Sequence, residues 1–246
     1  TVGILVRTVA DAAVMLQAMA GHDPQDPGSY NLPVPDYLEE MKRQERPFRI
    51  GLAKEFFFER STAEVRSHTE AVAQRLAKAG AVVEEIGLPD SFASSISCQR
   101  IVMNTECAAY HEEVFRERAD EYGPRVRVGI EMGMLIPTVR YLQAQRLRRQ
   151  LRQDLIETVN QVDLVLTPAT QSPAPRDLNT TGDAMFQQPW TTTGLPTIAV
   201  PSGLSQDGLP LAVQLAGLHF EEGKLLAAAA WCESVLGVSL SPPDFP

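Results

Sequence analysis

The residues best suited to chemistry lie on one stretch of sequence. Tyr141, Arg148 and Arg152 are seven and four residues apart, so at about 100° per residue they fall near one helical face, with Arg149 beside them. An arginine offers a planar fork of donors that matches a carboxylate. Tyr141 and Arg148 are therefore candidate contacts for an anionic or carbonyl-bearing ligand, and the competing reading of the same pattern is a solvated basic face. Other chemistries lack their residues. The histidines, His22, His68, His111 and His219, are scattered, and His111-Glu112-Glu113-Val114-Phe115 lacks the second His of a zincin, so no metal site is expected. Neither GxGxxG after a strand nor GxxxxGK[ST] occurs, which leaves a nucleotide cofactor without a motif. The GxSxG elbow of α/β serine hydrolases is also absent. Ser94-Ser95-Ile96-Ser97 reads as a helix start or loop, and Ser202 in Pro201-Ser202-Gly203 as a turn serine. Cys98, Cys107 and Cys232 have no CxxC spacing and no motif-defined His partner, and read as small buried hydrophobes.

The elements that must position these residues belong to a folded protein with a large core. Of 246 residues 44% are apolar and 22% charged, which excludes disordered, collagenous and coiled-coil chains. The net charge of −9, with no dense Lys/Arg patch, argues against direct nucleic-acid binding. No apolar run approaches the ~20 residues of a membrane span, and no secretory signal pattern is present. An odd number of cysteines favours free thiols in a reducing cytoplasm. The sequence begins at Thr1, without Met, directly before a helix, and the expectation is an upstream part not included here.

Thr8-Val9-Ala10-Asp11 fits a variant capping box, and Val9, Ala13, Leu16 and Ala20 recur at helical spacing until Gly21. The segment 22–28, with two Asp-associated prolines, predicts a surface turn that leads through a meandering loop to Pro47. Phe48 to Ala53 reads as a strand, Ser61-Thr62-Ala63-Glu64 as a capping box opening a helix that ends before Gly80, and Ala81 to Ile86 as a second strand, together a βαβ-like unit. Glu106 to Tyr122 predicts a polar helix, and Val139 to Val162 a longer one carrying Leu147, Leu151, Leu155 and Val159. Asp163 to Pro168 is a continuous apolar run of the kind buried on both faces. The stretch from Ala169 to Pro196 has no periodicity, and long loops inside compact domains are usually functional. Thr197 to Pro201 and Leu211 to Ala216 predict a hairpin around Asp207-Gly208, and Glu221 to Leu236 a last helix stopped by Gly237.

Several of these segments carry a resemblance. Asp163-Leu-Val-Leu-Thr-Pro168, Pro173-Ala174-Pro175, the run from Pro189-Trp190-Thr191-Thr192-Thr193-Gly194-Leu195-Pro196 to Pro201, Asp207-Gly208-Leu209-Pro210 and Gln214-Leu215-Ala216-Gly217 resemble the C-terminal half of the amidase signature family. The opening Arg7 to Ala13 and the Gly21 to Pro27 turn resemble the segment that follows the signature region. The resemblance implies an α/β fold in which this chain forms part of a large mixed β-sheet flanked by helices, an incomplete amidase signature fold. Residues 1–246 would be the C-terminal portion of a single amidase domain. It further implies hydrolysis of carboxylic acid amides at the C–N bond by a Ser nucleophile, a second Ser in a cis peptide and a Lys, with backbone N–H groups as the oxyanion hole. Those catalytic residues would lie in a missing N-terminal half, since no Gly-Gly-Ser-Ser-Gly-Gly-type loop occurs here and Lys54, Lys78 and Ser202 do not match in spacing or context. The chain alone is expected to be inactive, with no catalytic residue, no metal and no cofactor.

Tyr141-Leu142-Gln143-Ala144-Gln145-Arg146-Leu147-Arg148 is similar to the Tyr-x-x-Ala-Gln-x-x-Arg helix of tRNA amidotransferase A subunits, which makes Tyr141 and Arg148 substrate-binding candidates together with Thr191 and Gly194. That subfamily usually has Asn where Thr191 stands and Asp close to Ala184, where only Asp183 is near. The pattern Thr181-Gly182-Asp183, Phe186, Pro189-Trp190 is more like the general amidases. The expected partners are a small-molecule amide and the missing half of the protein, with neither nucleic acid nor membrane, in the cytoplasm. A cut through a shared sheet should leave an unpaired strand edge and an apolar face, so the isolated chain is expected to be poorly soluble or homo-oligomeric. Two alternatives stand beside the hydrolase: a fragment of a tRNA-dependent amidotransferase of that type, and a non-catalytic binding or scaffold chain.

Overall fold

A computed structural model describes residues 2–26, 28–43 and 47–240. Pro27 of the surface turn and residues 44–46 of the loop before Pro47 lie outside the described residues. The described chain forms two compact units: the first is drawn from residues 1–87, 159–186 and 195–246, and the second from residues 88–158 and 187–194.

The first unit is built on five strands: β1 (Arg49–Ala53), β2 (Val82–Ile86), β3 (Leu164–Pro168), β4 (Thr197–Leu204) and β5 (Pro210–Ala216). They lie in the order β2-β1-β3-β5-β4, parallel from β2 through β3 and antiparallel from β3 to β4. This is the mixed sheet of an α/β fold. All five residues of β3 are buried, as its apolar run predicts, and it occupies the middle of the sheet. The outer strand β2 carries Glu84 and Glu85 and is largely open to solvent. A Cβ at Gly51 would press on the Ile86 side chain, so the glycine lets β1 and that side chain pack closely.

Helices α1 (Val9–Met19), α2 (Tyr37–Met41), α3 (Ala63–Lys78) and α8 (Glu222–Leu236) complete this unit. The predicted N-cap at Thr8 is present, its hydroxyl accepting from the Asp11 N–H at 3.1 Å, but the box is not closed as expected: the Asp11 carboxylate accepts from the Thr8 hydroxyl at 2.7 Å. At α3 the cap is Thr62, not Ser61. Thr62 Oγ1 accepts from Val65 N–H at 3.3 Å, while the Ser61 hydroxyl donates back to the Phe57 carbonyl at 2.8 Å and is consumed by the preceding turn. The short α2 inside the expected meandering loop was not legible, because one and a half turns show no period; it is started by Asp36 capping Glu39 N–H. The alanine-rich α8 buries Ala227, Ala228, Ala229 and Cys232 and ends, as predicted, at Gly237 in a left-handed conformation (φ 57°). Burial pushes the Cys232 thiol up to about 12, which keeps it protonated.

One carboxylate ties three of these elements together. Asp163, immediately before β3 and almost fully buried, accepts from the Arg49 N–H through Oδ2 at 2.8 Å, while its own N–H donates to the Arg49 carbonyl at 2.8 Å. Its Oδ1 lies 3.2 Å from Lys224 Nζ on α8. The strands β4 and β5 extend further than their apolar cores predict and contain an irregularity between Pro201 and Gly203. Ser202 sits in that irregularity; its hydroxyl donates to the Leu211 carbonyl at 3.2 Å and stands 2.7 Å from His68 Nε2 on α3.

The second unit contains a 3-10 turn (Asp90–Ser94), α4 (Ser95–Arg118), α5 (Pro124–Met134), α6 (Thr138–Val159) and α7 (Gln188–Thr193). The polar helix expected from Glu106 starts eleven residues earlier, at the serine cluster, because Cys98 and Val102 supply a buried stripe too sparse to read as a period. Helix α5 was masked by alternation of Arg and Val in 125–128, yet Pro124 at its first position is a regular helix opener. On α6, Leu151, Leu155 and Val159 are buried as predicted, whereas Leu147 is exposed.

Two outcomes are expected. Asp163→Ala removes charge-assisted hydrogen bonding to β1 and should lower stability by about 2–3 kcal/mol, seen as a fall of roughly 4–12 °C in melting temperature; Asp163→Asn, which keeps an acceptor oxygen, should recover part of it. His68 is held below the ordinary imidazole range by burial, which outweighs the attraction of Glu64. Its neutral form belongs to the folded state, so its contribution is complete above about pH 6.5 and is lost as the pH falls from there through the depressed folded-state value. Melting temperature measured across that window should fall with acidification, and His68→Gln should flatten the slope.

Candidate functional site

All four residues singled out by the sequence lie in the second unit, on α6 and α7 or immediately after it. Tyr141, half-buried on α6, packs with Ile101 against the cluster of Cys98, Val102 and Ala144. Its hydroxyl donates to Glu106 Oε1 on α4 at 3.0 Å and accepts from Gln145 Nε2 at 2.8 Å. Gln145 Nε2 also reaches Glu106 Oε1 at 3.1 Å, closing a three-membered polar ring. The thiol of Cys98 donates to the Ala144 carbonyl at 3.1 Å, one turn further along α6. Burial raises that thiol above its ordinary range, so Cys98 is no thiolate nucleophile.

Arg148 lies two turns beyond Tyr141. It is half-buried, and its Nε donates to the Thr192 carbonyl of α7 at 2.6 Å. Its two terminal nitrogens have no hydrogen-bond partner among the described residues. By contrast Arg146 and Arg149 are exposed, as a solvated basic face requires. The side chain of Thr192 is itself fixed: Oγ1 lies 2.7 Å from the Gln188 carbonyl and 2.9 Å from Gln99 Oε1 on α4. A hydroxyl has one hydrogen, so with the Gln99 carboxamide turned to offer its NH₂ both contacts are satisfied. Helix α7 is thus gripped by α6 through its backbone and by α4 through its side chain. Trp190 and Pro189 are buried, and Gly194 closes α7 in a left-handed turn (φ 74°), with its N–H on the Trp190 carbonyl at 2.7 Å.

Thr191 on α7 and Gly194 immediately after it are both exposed. No hydrogen bond joins either to Tyr141 or Arg148 among the described residues. The residues that sequence reasoning missed are Gln99, Glu106, Gln145 and Thr192. Of these, Gln145 and Thr192 lie inside the family-like motifs without standing out in them; Gln99 and Glu106 are seven apart on α4, a spacing that places them on one face but carries no chemistry until α6 and α7 are seen against it.

Among the described residues outside this unit, Lys54 and Ser202 are both engaged by neighbouring groups. Lys54 Nζ lies 3.0 Å from Glu85 and 3.6 Å from Glu70, and the Glu85 carboxylate raises its pKa, so it stays a cation and no general base. Ser202 approaches His68, but it is 2% exposed, and no carboxylate is hydrogen-bonded to the ring among the described residues. Among the described residues no group of three or more His, Cys, Asp or Glu side chains is placed to hold a metal ion, and no helix is long and apolar enough to cross a membrane. None of the three cysteines is in a disulfide.

Residues 1–226 match the family described as Amidase. The chain belongs to that family. It is 35% identical over 239 residues to an amidase of Pseudomonas putida, covering 92% of this chain and 51% of that protein. It is 33% identical over 266 residues to the A subunit of the glutamyl-tRNA(Gln) amidotransferase of Koribacter versatilis, covering 96% of this chain and 55% of the relative. Among solved structures, an amidase crystal structure superposes with a TM-score of 0.78 at 25% identity over 93% of this chain and 51% of that one. The chain spans about half the length of the curated relatives it matches.

The grip on α7 has a measurable consequence. Arg148→Ala removes one hydrogen bond, worth about 1–1.5 kcal/mol, and amide hydrogen exchange in α7 should accelerate by roughly tenfold while exchange in β3 and β5 is unchanged.

Proposed function

We propose that this chain supplies the substrate-binding wall of an enzyme that hydrolyses carboxylic acid amides at the C–N bond. The observation that carries this reading is the match of residues 1–226 to the amidase family. Within the wall, Arg148 is the anchoring cation: one nitrogen is committed to the Thr192 carbonyl, and the other two are left to meet a carbonyl or carboxylate of the substrate. Tyr141, braced by Glu106 and Gln145, shapes the neighbouring surface, and the exposed Thr191 and Gly194 are the further substrate contacts in this reading. The Ser–Ser–Lys set belongs to polypeptide other than these 246 residues, in a portion N-terminal to them, and no cofactor is required. The commitment of Lys54 to two glutamates and of Ser202 to β5 supports that division of labour. We place the protein in the cytoplasm, with its three thiols reduced. The isolated chain, with Leu5 and Leu178 almost wholly exposed, is read as homo-oligomeric or poorly soluble.

A second reading, the A subunit of a tRNA-dependent amidotransferase, is favoured by the 33% identity to such a protein. Thr191, where that subfamily usually has Asn, and the stretch around Ala184, close to which it usually has Asp and where only Asp183 is near, weigh toward a general amidase.

The test is amine or ammonia release from a panel of aliphatic and aromatic carboxamides and from glutamine. The isolated chain should show no turnover above background, and the full reading frame that encodes it should hydrolyse carboxamides. In that enzyme Arg148→Lys should lower kcat/KM roughly ten- to hundredfold, mostly through KM. Turnover by the isolated chain that disappears in Ser202→Ala would overturn the division of labour, and glutamine-restricted activity that depends on a second protein would favour the second reading.

A further inference from the structure

We propose that Gln99 is a positioning residue for substrate binding: through Thr192 it fixes the direction in which Arg148 presents its free donors. The proposal rests on the reading of Arg148 as the substrate anchor, and it names what aims that anchor.

Arg148 needs an aiming device because its own tether is slight. An arginine side chain has much rotamer freedom, and its planar guanidinium is directed once one of its N–H groups is fixed. Here that fixture is Nε on the Thr192 carbonyl at 2.6 Å. The direction of the two terminal nitrogens therefore follows from where that carbonyl stands. The carbonyl is open to an arginine because it lies in the last turn of α7, where later helical N–H groups run out, and because residue 196, four further on, is a proline. Helix α7 has only six residues, too few to hold a helix by itself, so its placement is imposed by its neighbours. Burial of Pro189 and Trp190 holds it down, but apolar packing is not directional and does not by itself fix the rotation of so short a helix.

Gln99 supplies the direction. Its carboxamide lies 2.9 Å from Thr192 Oγ1, on the same residue whose carbonyl carries Arg148. The Thr192 hydroxyl spends its one hydrogen on the Gln188 carbonyl at 2.7 Å, so Gln99 donates to it through Nε2. The neighbouring Thr193 gives no such handle, since its hydroxyl is used inside α7 on the Pro189 and Trp190 carbonyls at 2.9 and 3.2 Å. Gln99 is in turn well anchored. The thiol of Cys98, one residue before it, holds the Ala144 carbonyl at 3.1 Å, and Ala144 stands one turn before Arg148 on α6. The contacts close into a circuit: Arg148 joins α6 to α7, Gln99 joins α7 to α4, and Cys98 joins α4 back to α6. Cut at Gln99, the circuit lets the Thr192 carbonyl and the guanidinium swing together.

The test uses the enzyme expressed from the full reading frame. Gln99→Met keeps the side-chain volume and removes the donor. It should raise KM for a carboxamide substrate roughly tenfold with kcat within about twofold, and Thr192→Val should act in the same way. Combined, the two should cost little more than either alone, because they break one link. In the Arg148→Ala background Gln99→Met should leave kcat/KM at the value of Arg148→Ala alone, since nothing remains to be aimed; a general loosening of the fold would lower it further. A second readout needs no turnover. Hydrogen exchange of the Arg148 Nε–H, followed by ¹⁵N NMR and assigned by its loss in Arg148→Lys, should accelerate roughly tenfold in Gln99→Met. A parent enzyme that hydrolyses no carboxamide would end the amide reading and leave this exchange measurement to decide the role of Gln99. Unchanged exchange at Arg148 Nε in Gln99→Met would overturn the proposal, as would a fall in kcat alone or an equal loss of kcat/KM with and without Arg148.

Discussion

Parallel strands drawn from distant parts of a chain have no turn to set their register, so something else must set it. Here β1 and β3 meet across more than a hundred residues, and Asp163 holds both backbone groups of Arg49, one through its carboxylate and one through its own amide. A slip of one residue would turn Ile50 and Leu52 to the opposite face and pull that carboxylate off its donor. The same side chain meets Lys224, which brings α8 to the level at which β3 begins. Because β3 is the strand on which the sheet changes from parallel to antiparallel, its placement sets that of β5 and through it β4. A buried carboxylate is costly unless answered on every side, and a peptide N–H together with an ammonium supplies that answer.

The second unit follows a different electrostatic logic. Arg148 is gripped by a backbone carbonyl and not by a carboxylate, so the grip fixes its position without cancelling its charge. Tyr141 is held by the opposite device, an acidic acceptor and an amide donor that use one lone pair and the hydroxyl hydrogen. The two side chains share one face of α6 but face the outside world differently: one as an open donor fork, the other as a braced aromatic edge.

Much of the first unit was legible because its signals are local. Capping residues, the apolar run at 164–168, the Asp207-Gly208 turn and the stop at Gly237 each act within a few residues of themselves. What escaped was either too short to show a period, as in α2 and α7, or carried only a sparse buried stripe among charged and exposed residues, as in α4 and α5. The choice of Thr62 over Ser61 as a cap turned on the Phe57 carbonyl, which claims the Ser61 hydroxyl and belongs to a turn no pattern announces. At the site, Tyr141 and Arg148 were legible because seven residues is a helical repeat. Their supports were not, since Gln99, Glu106 and Thr192 acquire meaning only when three helices converge.

The second unit is also an excursion. The chain leaves the first unit at residue 88 and returns at 159, then leaves again for only eight residues between 187 and 194, so four peptide junctions connect the two. Strand pairing in the sheet involves no residue from either excursion. Selection can therefore rewrite the helices that carry Tyr141 and Arg148 while the register set by Asp163 stays fixed. In evolutionary terms the sheet is a chassis and the helical excursion an exchangeable cassette, the arrangement by which one scaffold diversifies what it recognises without relearning how to fold.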